Sequence, residues 1–172
     1  MSGEETPEYG YAWSWCWNDP FFELKVATNV ADTFMANRQE PRGNERGGQL
    51  FLDLDCSDGI WLSTATLPHP NDNGSRTWLE LNPVRCQEEM VGNLARGYVF
   101  AGYWHTHPQG IPDISPQDKK SFLEFRNASQ PAVNTLLAVI IGFKQGHESI
   151  RIWALQNDRF REGKMTKSAH PS

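Results

Sequence analysis

Residues 98–104, Tyr-Val-Phe-Ala-Gly-Tyr-Trp, run directly into His105-Thr106-His107-Pro108, and this junction constrains the fold more than any other stretch of the chain. The aromatic and β-branched run predicts a buried strand. Side chains two apart on a strand share a face, so His105 and His107 project together from its end. After ten intervening residues comes Asp118, within Ser115-Pro116-Gln117-Asp118. That tetrapeptide predicts a helix start, with Ser115 as N-cap, Pro116 in the first helical position and Asp118 in the third. The loop between, residues 108–114, is rich in turn formers.

His105, His107 and Asp118 make a ligand set that zinc accepts. Catalytic zinc takes about three protein ligands and keeps one position for water, and imidazole and carboxylate are both normal ligands. Each residue also has a plainer reading. Ser-x-x-Asp is a capping-box-like signal, and a His-x-His at a strand end can be an ordinary exposed pair. The metal reading fails only where both hold together, in this order and spacing. A hydrolase further needs a general base beside the metal-bound water. Glu45 is the candidate: Asn44-Glu45-Arg46-Gly47-Gly48 precedes the strand-like run 49–54, and the two glycines let the backbone pass close to a neighbour. Taken alone, Glu45 reads as a surface glutamate.

Together, Glu45-x-Gly-Gly, His105-x-His107-Pro108 and Ser115-x-x-Asp118 resemble the JAMM (MPN-type) zinc metalloproteases, over roughly residues 20–156. This family includes isopeptidases that act on ubiquitin conjugates. The resemblance implies an α/β fold, a mixed β-sheet flanked by helices in a cytidine-deaminase-like sandwich. It implies one zinc ion held by His105, His107 and Asp118. Glu45 would hold and deprotonate the water, and Ser115 would support that water or the oxyanion. The 108–114 loop lacks the Gly-Phe-Gly-Cys-Trp-Leu pattern of eukaryotic members, and no long ubiquitin-gripping insertion is apparent. In this the chain is most like small bacterial members. Those accompany activating- and conjugating-enzyme homologues in anti-phage systems, so such proteins are the implied partners.

His-Thr-His-Pro-Gln-Gly with Ser-x-x-Asp downstream is also similar to RadC-type proteins, once linked to DNA repair. Charge argues against a nucleic-acid role: 16 Lys and Arg stand against 21 Asp and Glu, a net charge of -5, with no basic run. Phosphate-backbone binding needs a basic surface. Cys16, Cys56 and Cys86 contain no Cys-x-x-Cys pair and read as free thiols of a reducing cytosol. The acidic, polar start is not a secretory signal, and no apolar stretch reaches the ~18 residues of a membrane span. A cytoplasmic protein without membrane attachment is the expectation. A cysteine nucleophile remains an alternative, although no cysteine is next to the histidine motif.

At 172 residues one domain is expected. Residues 1–10 read as a flexible lead, 11–160 as the domain and 161–172 as a flexible tail. Trp13, Trp15 and Trp17 alternate on one face of a strand, either packing on the core or forming an aromatic partner surface. Leu24, Val26, Val30, Phe34 and Met35 predict a helix over 24–38. Strands are expected near 48–54, 59–66 and 77–81, with residues 68–75 an exposed linker that includes His69. Asn82 and Pro83 open a helix to residue 96. Residues 135–142 and 149–155 predict a hairpin, with His147 at its turn.

The implied reaction is cleavage of a peptide or isopeptide bond after the extended tail of a ubiquitin-like protein, in a groove lined by aromatics such as Trp104. A non-catalytic scaffold of the same fold is the alternative from a different class.

Overall fold

A computed structural model describes residues 9–129 and 134–167. The chain opens with β1 (Tyr11–Trp17) and β2 (Phe22–Ala27), an antiparallel pair. Trp13, Trp15 and Trp17 are all buried, so they are core and not a partner surface. The helix expected over 24–38 is instead two elements, β2 followed by α1 (Thr28–Ala36). Val26, Val30 and Phe34 are four apart and imitate one helical stripe. Leu24 and Val26 are in fact two apart on a strand, opposite Trp15 and Trp13 respectively. Only Val30, Ala31 and Phe34 continue that buried surface as a helix.

Next come β3 (Gly47–Asp53), β4 (Ile60–Ala65), α2 (Pro83–Ala95), β7 (Val99–Thr106), α3 (Pro116–Ser129), β8 (Leu136–Ile141) and β9 (Ile150–Gln156). Between β4 and α2, the two-residue strands β5 (Asn73–Gly74) and β6 (Leu79–Glu80) pair with each other in a separate small sheet. The strand expected over 77–81 is therefore only two residues long, and its partner lies inside the segment read as a linker. The side chain of Asn82 caps α2 by accepting from the Arg85 N–H. β8 and β9 form the expected antiparallel pair.

Among the described residues the main sheet has nine strands in the order β10-β9-β8-β7-β3-β4-β2-β1-β11, with β2–β4 and β7–β8 parallel. Its outermost strands, β10 (Arg159–Glu162) and β11 (Lys164–Thr166), are consecutive in sequence with only Gly163 between them. The sheet therefore curls until its two ends nearly meet. Gly163 makes that approach possible: a Cβ there would be 2.6 Å from the Trp17 ring, and its N–H donates to the Ile152 carbonyl at 3.0 Å. The flexible tail expected from residue 161 is corrected accordingly, since 161–166 complete the sheet and 168–172 lie outside the described residues. Most of the expected lead, residues 1–8, also lies outside them. Tyr9 is anchored, donating to Asp53 at 2.8 Å.

The curled sheet buries two clusters. One face holds Trp13, Trp15, Leu62, Trp104 and Ile152 around α1. The other holds Phe122, Leu136, Ile140 and Trp153, with Tyr103 and Phe125 against them, beneath α3. β7 alternates between the two: Trp104 meets Phe34 of α1, while Tyr103 meets Phe122 and Phe125 of α3. His105 has the parity of Tyr103 and so faces the start of α3.

Candidate metal centre

Three donor groups converge where β7 ends and α3 begins. His105 Nε2 and His107 Nε2 are 3.0 Å apart. Asp118 places Oδ1 3.2 Å from the first and Oδ2 3.1 Å from the second. Zinc bonds of about 2.0–2.1 Å at tetrahedral angles set ligand atoms about 3.3 Å apart, so the spacing fits one small divalent ion. The donor chemistry fits as well: two imidazole nitrogens and a carboxylate converge on a single point, and all three residues are buried or half-buried.

Backbone pairing fixes the two histidines, and a helix cap fixes Asp118. His105 lies in the parallel ladder with Ile140, and the His107 N–H donates to Ile141 O at 2.9 Å. Asp118 is held by a reciprocal cap: Ser115 Oγ accepts from the Asp118 N–H at 3.0 Å, and Asp118 Oδ2 accepts from the Ser115 N–H at 2.9 Å. The capping and ligand readings therefore coexist on the same two residues. In this bond Ser115 uses an oxygen lone pair, which leaves its hydroxyl hydrogen for another acceptor. Burial would push the Asp118 carboxyl up, but hydrogen bonds from His105 and His107 outweigh it and hold the group far below the usual carboxylate range. For His107, burial works against the charged form, and the Asp118 contacts and the Glu45 charge reverse this and raise its pKa.

Glu45 is brought to the same place from sixty residues upstream. Its N–H donates to Ser75 O at 2.8 Å. The next residue is clamped to β7, with Arg46 N–H donating to Thr106 Oγ1 and Thr106 N–H to Arg46 O, both at 2.9 Å. The glycines act as the sequence implied. A Cβ on Gly47 would lie 2.3 Å from Trp104 O, and one on Gly48 2.1 Å from Thr66 O. Glu45 is only 7% exposed, so it is not the surface glutamate of the plainer reading. Burial pushes its carboxyl up to about 7, with the His107 charge opposing and the Asp118 charge adding. A carboxylate poised there is suited to accepting a proton near neutrality.

Two supports were not legible in the sequence. Arg85, 3% exposed, donates to Gly47 O at 3.0 Å and Asp72 Oδ2 at 2.7 Å, and also bonds Glu89. It thus ties the start of β3 to the 68–75 segment that carries Ser75. Gln109 Oε1 lies 3.2 Å from His107 Nδ1.

Glu45 and Leu79 stand between two cavities. The larger, about 470 Å³, runs between α2 and α3 over β7 and is lined by Trp78, Met90, Tyr103, Phe122, His105 and Asp118 among others. The smaller, about 280 Å³, lies on the other side against Asn44, Arg46, Pro68 and His69. The aromatic wall of the groove is Trp78, Tyr103 and Phe122. Trp104 also lines the cavity, although its side chain is fully buried and donates to Thr66 O at 2.9 Å. Cys86 also borders the groove, but burial pushes its thiol up to about 11, which disfavours a cysteine nucleophile. All three cysteines are free.

Fold and site together define a mixed α/β single domain whose nearly closed sheet carries a candidate His-His-Asp metal centre at one end of a groove. The solution structure of protein DSY2949 from Desulfitobacterium hafniense is similar, with a TM-score of 0.58 at 19% identity over 81% of this chain and 88% of that one. That likeness shows the fold alone. No family model and no curated protein matches the chain. Among the described residues, no helix is long and apolar enough to cross a membrane.

Proposed function

We propose that this protein is a zinc-dependent peptidase or isopeptidase of the JAMM (MPN-type) class, cleaving after the C-terminal tail of a ubiquitin-like protein or its conjugate in a cytoplasmic bacterial pathway with activating- and conjugating-enzyme homologues. The observation that carries the reading is the convergence of two imidazoles and a carboxylate beside a buried glutamate, at the end of an aromatic-lined groove. Zinc held by His105, His107 and Asp118 would supply Lewis acidity and lower the pKa of a water toward ~7.

The chain's own residues supply the rest. Glu45 takes the proton from the attacking water and delivers it to the leaving amine. Its position between the two cavities suits both transfers, with the acyl tail in the larger cavity and the amine side in the smaller. The free hydroxyl hydrogen of Ser115 is available to the developing oxyanion, a role worth about 3–4 kcal/mol for a good donor in other enzymes. Tyr103, Phe122 and Trp78 offer an apolar wall for an extended tail.

The test measures metal content and cleavage of a ubiquitin-like protein carrying a C-terminal peptide extension, with and without chelator. Zinc at about one per chain and chelator-sensitive cleavage that Glu45→Gln abolishes while zinc stays bound are expected. Metal-free purified protein that cleaves in chelator would overturn the reading. Stoichiometric zinc without cleavage of any such fusion would point to a scaffold.

A further inference from the structure

Which nitrogen of an imidazole can meet a metal depends on where the ring proton resides. At His107 the surrounding loop decides this. The backbone N–H of Asp113 donates to Gln109 Oε1 at 3.1 Å. A backbone N–H is only ever a donor, so the oxygen of the Gln109 amide, and not its NH₂, must face that way. The same oxygen is the atom 3.2 Å from His107 Nδ1. An amide oxygen only accepts, which requires Nδ1 to carry the proton. Nε2 is then the nitrogen that faces the cluster, 3.0 Å from His105 Nε2 and 3.1 Å from Asp118. It donates to Asp118 in the metal-free protein, and an ion would displace that second proton. The Gln109 backbone is fixed independently, its carbonyl accepting from the Phe143 N–H at 2.9 Å.

We infer that Gln109 is the positioning residue of the metal centre: its side-chain oxygen, oriented by the Asp113 N–H, holds His107 protonated at Nδ1 and presents Nε2 to a divalent ion. The inference rests on the metal reading above and adds a residue outside the candidate ligand set, acting through His107. Outer partners of this kind typically set metal affinity by about 10–100-fold when removed.

The test is zinc affinity, measured by competition with a chromophoric chelator for the wild type, Gln109→Met and Gln109→Glu. Methionine keeps the length and removes the amide oxygen, whereas glutamate keeps an acceptor for both Asp113 N–H and His107 Nδ1–H. Gln109→Met is expected to bind zinc about 10–100-fold more weakly, with Gln109→Glu within about 3-fold of wild type or tighter. A Met variant that binds like wild type overturns the inference and leaves the metal reading standing. So does an equal loss in both variants, which would make the loop's packing the cause and not the acceptor. A wild type that binds no zinc overturns both. A second measurement needs no variant: long-range ¹H–¹⁵N spectra of the zinc-loaded wild type should show His107 with its proton on Nδ1 and Nε2 bound to metal. The opposite assignment overturns the inference.

Discussion

Gly47 lies directly opposite His105 in the antiparallel register of β3 and β7. The paired hydrogen bonds between Arg46 and Thr106 carry that register one step beyond the strand. One further step brings Glu45 close enough for its charge to act on His107. A glutamate and a histidine some sixty residues apart in sequence thereby become neighbours through two glycines thin enough to let the strands close.

Gly47→Ala tests that closeness. The added carbon would meet the Trp104 carbonyl at 2.3 Å, a backbone atom that cannot turn aside. Overpacking of this kind costs roughly 1–3 kcal/mol. The denaturation midpoint should fall accordingly, and an unchanged midpoint would show that the ladder is looser than described.

The buried Glu45 makes a pH prediction for the metal-free protein. Its carboxyl is raised from 4.5 to about 7 in the fold. Below pH 4.5 it is protonated in folded and unfolded chains alike, and burial carries no charge penalty. Between pH 4.5 and 7 the unfolded chain loses its proton first, so stability declines, and above 7 the full penalty applies. At about 1.4 kcal/mol per pH unit the loss is roughly 3 kcal/mol. Glu45→Gln has no charge to bury. In chelator, thermal unfolding of the two proteins should nearly coincide at pH 4 and diverge by pH 8, with the glutamine form the more stable.

Metal linkage gives a complementary result. Zinc at a thousandfold over its dissociation constant should stabilise the wild type by about 4 kcal/mol, roughly 10 °C for a domain of this size. His107→Ala removes one of the three candidate ligands and should lose most of that gain. An equal zinc-induced shift in both proteins would place the binding elsewhere.

Arg85 bridges Asp72, Glu89 and Gly47 O within the protein. Burial would raise the Asp72 carboxyl, yet hydrogen bonds led by Arg85 hold it below its ordinary range. Removing one partner of a buried pair costs about 3–5 kcal/mol because the other is left uncompensated. Arg85→Met should therefore unfold at much lower denaturant, and the Arg85→Met/Asp72→Asn double variant should lose less than the sum of the single losses.

What the sequence revealed was local. The strand 99–106, its two histidines and the Ser115–Asp118 cap are set by side-chain parity and spacing within twenty residues. The β2–α1 boundary was hidden because Val26, Val30 and Phe34 satisfy a helical period across a change of element. β10 and β11 were missed because Arg-Phe-Arg-Glu and Lys-Met-Thr have little hydrophobic pattern of their own and acquire structure from pairing with β9 and β1. Arg85 was invisible for the same reason, since its partners Gly47 and Asp72 are set by the fold and not by any motif. Gln109 is close in sequence to His107 and Asp113, but which way its amide faces depends on the loop's conformation, which spacing does not fix.

The single-residue junction at Gly163 has a consequence for biosynthesis. Ser14 pairs with Thr166, so the strand that carries Trp13, Trp15 and Trp17 is made early and lacks its outer neighbour until the last strand has been translated. Until then, β1 is an unpaired, tryptophan-rich edge of the sort that recruits other chains. A ribosome-bound chain arrested before residue 164 should be a better substrate for holding chaperones than one released beyond residue 167.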